Sequence, residues 1–354
     1  MNKTLFLPMI ILFFIFYYLM FPMAGSSEIF WAATELHDFS RLDQSPDSLE
    51  EVISINQGRF QGVLLPHGGN VYLLKGEEEA AVSGSFFIFK SDNSFILENL
   101  KDETRVRIPF KEYPLILSDH FYSADFSSAI LEEFDPSGVS LWRWRGTSPI
   151  TAIDAGRSCT VFGSVDGRVR LFSRQGEMTE LLPADLEEDN VVYGLALSLD
   201  CSRLAVVSGL NKQYIRQYLL KENGPPELIH EQLLDSRYPR PVKLYYSESA
   251  FTLWVEQDDS LLQFRGVGMG RTLPLDGTLM TQDSDEESGL IYVLSRLIPS
   301  NFSEKSYQLA VYAMDGSVIM KNRFDEYPEF FYRTGRDIYL SMDERLLVIK
   351  RLES

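Results

Sequence analysis

Short apolar runs separated by turn residues recur along the chain, and residues 150–182 show this pattern most completely. Four apolar or alternating segments lie there, at 150–153, 159–162, 169–172 and 178–182. Asp166-Gly167 and Gln175-Gly176 separate the later segments, and such pairs readily adopt the positive φ that closes a hairpin. Because no helical spacing is present, the stretch predicts a unit of four short antiparallel strands.

Comparable units continue from residue 51 to the end of the chain. Their outer strands can be aligned near Val71, Val106, Val139, Val169, Ile215, Leu261, Leu309 and Leu346. The spacing averages roughly 39 residues, close to the ~40–50 residues of one propeller blade. The sequence therefore predicts an all-β fold with a single β-propeller, of seven blades as the first choice and eight as the alternative. A strand near residues 52–55 is expected to close the ring by pairing with the last unit.

Residues 5–25 carry no charged side chain. As a helix they would extend about 30 Å, enough to cross the apolar core of a bilayer. Two interpretations remain, an uncleaved anchor and a signal peptide cut near Ala24-Gly25. The anchor is preferred because the segment exceeds the ~7–15 apolar residues usual for a signal peptide. The predicted anchor positions include Leu5, Ile10, Phe14, Tyr18 and Phe21.

The charges that flank this hydrophobic helix predict its orientation. Lys3 precedes it, whereas Glu28 and Glu35 follow it, so the amino terminus is expected to stay inside and the rest to be exported. The prediction is a single-pass protein of the cell membrane with its propeller on the extracytoplasmic (periplasmic) side. The domains are then an anchor or signal peptide, a linker and a propeller, at 1–25, 26–50 and 51–354. Phe30-Trp31 in the linker suits either the membrane interface or an early strand.

The chain is strongly acidic, with a net charge of -18. Binding to nucleic-acid phosphates requires clustered Lys and Arg, so no nucleic acid is expected as a partner. The same argument excludes adhesion of the folded part to anionic lipid headgroups.

No candidate chemical motif is complete. The histidines lack the spacing of a metal site, a glycine-rich loop is not followed by a helix that could bind phosphate, and two acidic runs lack the full calcium-loop pattern. These positions are His37, His67, His120 and His230, Gly266 to Gly270, Asp258-Asp259, and Asp283 to Glu287. We therefore predict turn or surface roles for them, and no catalytic, cofactor-binding or metal-binding residue.

Cys159 and Cys201 lie about one repeat apart. Equivalent points on neighbouring blades are usually more than ~7 Å apart, which favours two unbridged thiols. Export to an oxidising compartment keeps a disulfide open as the alternative.

Two segments resemble the quinoprotein-type (PQQ-like) repeat, in which an Asp-x-x-x-Gly-like turn precedes a strand. They are Phe134 to Trp142 and Tyr312 to Ile319, while Ile150 to Phe172 is similar to WD40-like repeats. The chain also resembles membrane-anchored propeller proteins of spirochaetes. A PQQ enzyme would require a tryptophan platform, a calcium site, an aspartate base and tryptophan in most blades. Here the tryptophans are few and uneven, so we predict that Trp142, Trp144 and Trp254 pack between blades.

The predicted function is a non-catalytic protein-interaction scaffold in the cell envelope, with an envelope protein or polymer as partner and no cofactor. Two alternatives use the central channel. A quinoprotein-like enzyme or a hydrolase predicts carboxylates or histidines that converge near the axis. A small-ligand sensor predicts an apolar pocket with a few polar groups.

Overall fold

The structure is a computed structural model of the protein. It describes residues 29–38, 53–57, 60–65, 70–74, 80–83, 86–91, 94–99, 104–109, 112–182, 191–221, 224–236, 238–247, 249–266, 268, 270–298, 305–335, 337–342 and 345–353. Within this part the regular elements are strands, and they form eight sheets, of which seven have four strands and one has three. No helix in it is long and apolar enough to cross a membrane. The predicted anchor residues Leu5, Ile10, Phe14, Tyr18 and Phe21 lie outside the described residues.

The strands follow one another along the chain, and each sheet is built almost wholly from consecutive strands. The first strand, β1 (Ile29–Asp38), belongs to the last sheet. Sheet 1 contains β2 (Ile53–Gln57), β3 (Phe60–Leu65) and β4 (Asn70–Leu74); sheet 2 contains β5 (Ala80–Ser83), β6 (Phe86–Ser91), β7 (Ser94–Asn99) and β8 (Arg105–Ile108); sheet 3 contains β9 (Tyr113–Leu117), β10 (His120–Asp125), β11 (Ile130–Phe134) and β12 (Ser140–Arg145); sheet 4 contains β13 (Ile150–Ala155), β14 (Cys159–Ser164), β15 (Val169–Ser173) and β16 (Met178–Leu182).

The second half of the chain repeats this order. Sheet 5 contains β17 (Val192–Leu197), β18 (Arg203–Ser208), β19 (Tyr214–Leu219) and β20 (Glu227–Leu233); sheet 6 contains β21 (Leu244–Tyr246), β22 (Thr252–Glu256), β23 (Ser260–Arg265) and β24 (Arg271–Pro274); sheet 7 contains β25 (Gly277–Asp285), β26 (Leu290–Leu297), β27 (Tyr307–Ala313) and β28 (Val318–Phe324); sheet 8 contains β29 (Pro328–Thr334), β30 (Asp337–Met342), β31 (Arg345–Glu353) and β1.

The first strands of successive sheets lie next to each other. Contacts join β2 to β5, β5 to β9, β13 to β17 and β17 to β21, and β29 of the last sheet contacts β2 of the first. These first strands are therefore the innermost ones and surround the central channel. The sequence prediction of an all-β fold is confirmed, whereas the first choice of seven blades is not.

The ring is closed by β1, which pairs antiparallel with β31 from Ile29 to Asp38. A closing strand from the amino-terminal part was predicted near residues 52–55, but that segment is β2, the innermost strand of sheet 1. Part of the predicted linker 26–50 is thus a strand of sheet 8, and Phe30-Trp31 lies in this early strand. Pairing of both ends in one sheet removes an exposed sheet edge.

The core lies between neighbouring sheets, and alternate residues of one strand pack against opposite neighbours. In β18, Leu204 and Val206 belong to the cluster shared with sheet 4, whereas Ala205 and Val207 belong to the cluster shared with sheet 6. A sheet that is buried on both faces needs apolar residues in succession. This explains why the strands appear in the sequence as short continuous apolar runs.

Candidate functional site

A cavity of about 460 Å³ opens beside the innermost strands of sheets 4 to 7. Its wall comes from the first residues of β13 and β17, the segment that leads into β21, and the middle of β25. Residues of β22 and β23 lie behind them. The lining residues are Thr151, Ala152, Ile153, Tyr193, Gly194, Leu195, Pro241, Val242, Lys243, Leu244, Tyr245, Trp254, Leu261, Leu279, Met280, Thr281 and Gln282.

The cavity lies towards one end of the ring, which we call the connecting face. The loops that join one sheet to the next start or end there, because each innermost strand begins at that end. In a four-stranded antiparallel sheet the loop between the second and third strands lies at the same end. The opposite end, the turn face, carries the loops between the first and second and between the third and fourth strands.

The polar groups of the cavity are few. Lys243 donates from its ammonium to the carbonyl oxygen of Met280 on the neighbouring sheet. Gln282 lines the cavity, and neither Nε2 nor Oε1 of its buried amide has a hydrogen-bond partner among the described residues. Tyr193 and Tyr245 add aromatic surface. The surface of the cavity is therefore mixed, with an exposed lysine and two tyrosines beside apolar residues.

One arginine contacts two carboxylates next to the cavity. Arg240 Nη1 lies 3.1 Å from Glu256 Oε1, and its Nε lies 3.1 Å from Asp258 Oδ1. Glu256 also accepts the backbone N–H of Lys243 at 3.2 Å. Asp258 and Asp259 lie in the turn between β22 and β23, as predicted, and Asp258 also forms this ion pair.

Two carboxylates on innermost strands are tied to neighbouring sheets. Asp154 of β13 accepts the backbone N–H of Leu197 of β17 at 2.7 Å and that of Ala155 at 2.9 Å. Burial raises the pKa of Asp154 to about 6. Asp283 of β25 accepts from Arg333 Nε of β29 at 2.8 Å, and burial raises its pKa too. Asp154 bonds across the boundary between sheets 4 and 5, and Asp283 bonds across the boundary between sheets 7 and 8. The two carboxylates therefore do not form a converging pair.

Replacing Asp154 by asparagine should make stability less dependent on pH. The folded protein binds the Asp154 proton more tightly than the unfolded chain, whose pKa is near 3.8. Stability from this residue is therefore complete below the unfolded pKa and is lost as the pH rises through 6. We expect the unfolding free energy of D154N relative to wild type to rise on the order of 2 kcal/mol between pH 4 and pH 7.5.

Urea denaturation at both pH values measures this difference, and Asp125→Asn is the control, whose difference from wild type should change little between pH 4 and pH 7.5. Hydrogen bonds from Ser127 and then Ser128 lower the pKa of exposed Asp125 to about 2. Its contribution is therefore present above the unfolded pKa and is lost as the pH falls towards 2. A D154N difference that stays constant from pH 4 to pH 7.5 would contradict the assignment.

His120 is buried at the boundary between sheets 3 and 4. Its Nδ1 lies 2.6 Å from Glu133 Oε1, and its Nε2 lies 3.3 Å from the carbonyl oxygen of Arg157 on sheet 4. Beside it, the Tyr122 hydroxyl contacts Thr160 Oγ1 at 2.7 Å, and burial raises the pKa of Tyr122. The predicted turn or surface position is therefore wrong for His120, which joins two sheets.

The other candidate residues do not come together in one site. His230 packs against Phe264 with ring centroids 5.1 Å apart, His67 lies outside the described residues, and His37 lies in β1. The glycine-rich segment from Gly266 joins β23 to β24, as predicted for a turn. Asp283 and Asp285 lie in β25 and contact Arg333. Within the described residues, no group of three His, Cys, Asp or Glu could hold a metal ion.

A family model described as "beta-propeller protein" matches residues 1–353. The chain belongs to this family. A homologous protein of Treponema pallidum (strain Nichols), described as "Uncharacterized protein", is 23% identical over 235 residues, which are 64% of this chain and 59% of that relative. The alignment thus spans less than two thirds of the relative, and it confirms the resemblance to a spirochaete protein.

Two solved structures show the same fold. The computationally designed Ika8 protein has a TM-score of 0.59 and 11% identity, over 86% of this chain and 98% of the designed chain. BamB from Moraxella catarrhalis has a TM-score of 0.54 and 12% identity, over 91% of this chain and all of BamB (100%). At these identities the likeness concerns the fold alone.

The tryptophans of this propeller pack between blades, as predicted. Trp142 of sheet 3 stacks on Phe172 of sheet 4 with centroids 4.5 Å apart, and Trp144 contacts Phe162 at 4.6 Å. Trp254 of sheet 6 belongs to the cluster shared with sheet 7. Gly176, in a turn of sheet 4, lies against Trp142, and a Cβ added there would be 2.6 Å from Trp142 Cβ.

Replacing Gly176 by alanine should destabilise the propeller by about 2–4 kcal/mol, because the residue would be both strained and overpacked. Its φ is +83°, and the added methyl group would overlap Trp142. Gly335→Ala is the matched control, since Gly335 has φ +52° and no described atom lies within 4 Å of its added Cβ. Thermal denaturation should show a larger loss of stability for G176A than for G335A. Equal losses would mean that the contact with Trp142 contributes nothing.

Cys159 and Cys201 form a disulfide, with their Cα atoms 6.4 Å apart. The favoured expectation of two free thiols was therefore wrong. Cys159 begins β14, whereas Cys201 lies in the loop before β18 with φ +60°. This loop brings the sulfur towards sheet 4, so the bond joins two neighbouring blades.

The sequence patterns do not point to the residues that line the cavity, including Lys243, Gln282, Tyr193 and Tyr245. None of them belongs to a motif with fixed spacing. A signal was present for Lys243, which follows Pro239, Pro241 and two arginines just before a strand. That signal marks a loop, but it does not show which other sheets the loop faces.

Proposed function

We propose that this protein is an eight-bladed, non-catalytic binding platform, held on the extracytoplasmic side of the cell membrane by its amino-terminal segment. It would bind an envelope protein through the connecting face. Binding residues in proteins are commonly placed on loops that a rigid scaffold positions.

The uneven distribution of exposed apolar side chains carries this proposal. On the described loops of the connecting face, six large apolar side chains are exposed: Phe126, Val165, Leu210, Tyr238, Ile298 and Tyr327. On the described loops of the turn face there are two, Val139 and Phe251. Exposed apolar side chains concentrated on one face are typical of a protein interface, and aromatic residues are enriched in such interfaces.

Two observations support an extracytoplasmic position. Residues 5–25 carry no charge and are long enough to cross a bilayer as a helix. The disulfide between Cys159 and Cys201 is of the kind that persists in oxidising compartments. The net charge of -18 supports a protein partner over nucleic acid.

Crosslinking in intact cells tests the platform. The double variant Tyr238→Ser, Ile298→Ser removes the two most exposed loop side chains of the connecting face, at 64% and 72% exposure. The matched control, Val139→Ser with Phe251→Ser, changes the turn face. We expect a defined crosslinked protein to be lost from the first variant and kept by the second. Equal recovery of the crosslinked protein from both variants would exclude the connecting face as its binding site. Recovery of an envelope polymer alone would exclude a protein partner.

Membrane attachment and side are tested separately. Full-length protein should stay with the membrane through alkaline carbonate washing. External protease should degrade the propeller of spheroplasts. Protection from protease in intact spheroplasts would place the propeller on the inner side and contradict the proposed location.

A further inference from the structure

The amino-terminal part of the chain enters the propeller at the turn face. Ile29 begins β1 and pairs with Glu353, the last residue of β31. Third strands run from the connecting face to the turn face, and β31 is the third strand of sheet 8. Because β1 is antiparallel to β31, it starts at the turn face and ends at the connecting face. It is also the outermost strand of sheet 8, so the chain enters at the outer edge of the ring.

The uncharged segment lies close to this entry point along the chain. Only residues 26–28 separate residues 5–25 from β1. Three extended residues reach about 10 Å. A headgroup layer alone is about 5–8 Å thick. If residues 5–25 cross a bilayer, the start of β1 therefore lies at the surface of the headgroup layer.

Exposed apolar side chains on other sheets lie at the same end of the ring. Each fourth strand begins at the turn face, and at these starts the described residues include five exposed large apolar side chains, which we call the apolar rim. They are Val139 just before β12, Met178 of β16, Leu228 of β20, and Val318 and Ile319 of β28. Exposed apolar groups that share one side of a protein are typical of a protein or membrane contact.

The positions of these residues around the ring determine how the propeller can meet a bilayer. The eight sheets follow one another in chain order and sheet 8 contacts sheet 1, so sheet 4 lies opposite sheet 8. A propeller that lay on its side, on the edge of sheet 8, would hold Met178 and the rest of sheet 4 away from lipid. Only contact through the whole turn face brings the entry point of the chain and the apolar rim to the bilayer together.

The starts of the outermost strands are less acidic than the protein as a whole. Sheets 2 and 6 have Arg105 and Arg271 at this position, and the carboxylate of Glu227, at the start of β20, lies 2.6 Å from Lys221 Nζ. The net charge of -18 still disfavours a surface of anionic headgroups. A bilayer of zwitterionic lipid is the surface that the apolar rim fits.

We infer that the turn face lies against the bilayer, with the apolar rim in contact with zwitterionic lipid, and that the connecting face points away from the membrane. The inference rests on the membrane attachment proposed above and adds the orientation of the propeller. The ten residues of β1 extend about 30 Å from the turn face towards the connecting face. The connecting face is thus kept clear of lipid and is open to a partner outside the bilayer.

Fluorescence quenching in phosphatidylcholine vesicles that contain a headgroup-labelled quencher lipid tests the orientation with full-length protein. Met178→Cys and Val165→Cys each place a fluorophore on sheet 4, the first at the turn face and the second at the connecting face. The native cysteines are joined in a disulfide and do not take up the label. The fluorophore at position 178 should lose most of its emission, whereas the one at position 165 should keep it.

Flotation of the same samples separates two kinds of failure. Protein that floats with the vesicles but shows equal quenching at the two positions, stronger quenching at position 165, or no quenching at either would overturn the orientation alone. Protein that does not float with the vesicles would contradict the proposed attachment and the orientation with it.

Two double variants separate contact by the apolar rim from the effect of the tether. Leu228→Ser with Val318→Ser changes the rim on sheets 5 and 7. The matched control, Leu210→Ser with Ile298→Ser, changes exposed apolar residues of the same two sheets at the connecting face. Quenching at position 178 should fall in the first variant and stay unchanged in the second. Unchanged quenching in both would contradict contact between the rim and lipid.

Discussion

Replacing Trp254 by alanine is expected to lower the free energy of unfolding by about 3–5 kcal/mol, the range for large-to-small changes of a buried aromatic residue. Trp254 is only 1% exposed. Its ring belongs to the cluster between sheets 6 and 7, which includes Leu279 of β25 and Ile291 of β26. Its Nε1 donates to Ser284 Oγ at 3.3 Å. The variant would lose this hydrogen bond and leave a cavity at a boundary where neighbouring blades meet.

Trp254→Phe separates packing from the hydrogen bond, because phenylalanine keeps most of the volume and removes the donor. We expect this variant to lose about 1–2 kcal/mol, as for one buried hydrogen bond and a small change of volume. Equilibrium denaturation in urea measures both losses. A W254A loss no larger than that of W254F would show that the contact between sheets 6 and 7 contributes little.

Removing the disulfide is the second change with a large expected effect. The bond joins residues separated by 42 positions, and the chain-entropy treatment of such a loop gives about 4 kcal/mol of stabilisation. The double variant Cys159→Ser, Cys201→Ser should therefore be less stable than wild type by about 2–4 kcal/mol. It should also make the boundary between sheets 4 and 5 the first to open in hydrogen exchange.

Chemical reduction provides the control for this variant. A reducing agent should bring the wild-type unfolding midpoint close to that of the double variant and leave the double variant unchanged. Wild-type protein that keeps its midpoint after complete reduction, verified by thiol labelling, would contradict a stabilising role of the bond.

The predicted strands were largely correct because their signals are local. In residues 150–182 the four predicted segments coincide with β13 to β16, apart from one or two residues at their ends. Gly167 and Gly176 adopt φ +79° and +83°, as the Asp-Gly and Gln-Gly pairs predicted. Turn type depends on the residues of the turn itself, so a sequence alone can predict it.

The number of blades was harder to predict. The eight aligned strand positions, from Val71 to Leu346, each fall in or directly before a strand of a different sheet, although seven blades were preferred. Some positions belong to third strands and others to fourth strands, as Val169 in β15 and Val106 in β8 show. Sheet order results from pairing across the whole chain. The strand that completes sheet 8 comes from the amino-terminal end, at Ile29–Asp38.

The chain alone determined the class of fold, the positions of most strands and turns, and the packing role of the tryptophans. The strands follow from short apolar runs bounded by turn residues, and the turns follow from the positive φ that glycine tolerates. Only the tertiary structure shows the disulfide, the buried His120–Glu133 pair, the hydrogen bond from Leu197 to Asp154, and the cavity with Lys243 and Gln282. Their partners lie on different strands, often on neighbouring sheets, and only strand pairing and the packing of sheet on sheet bring them within contact distance.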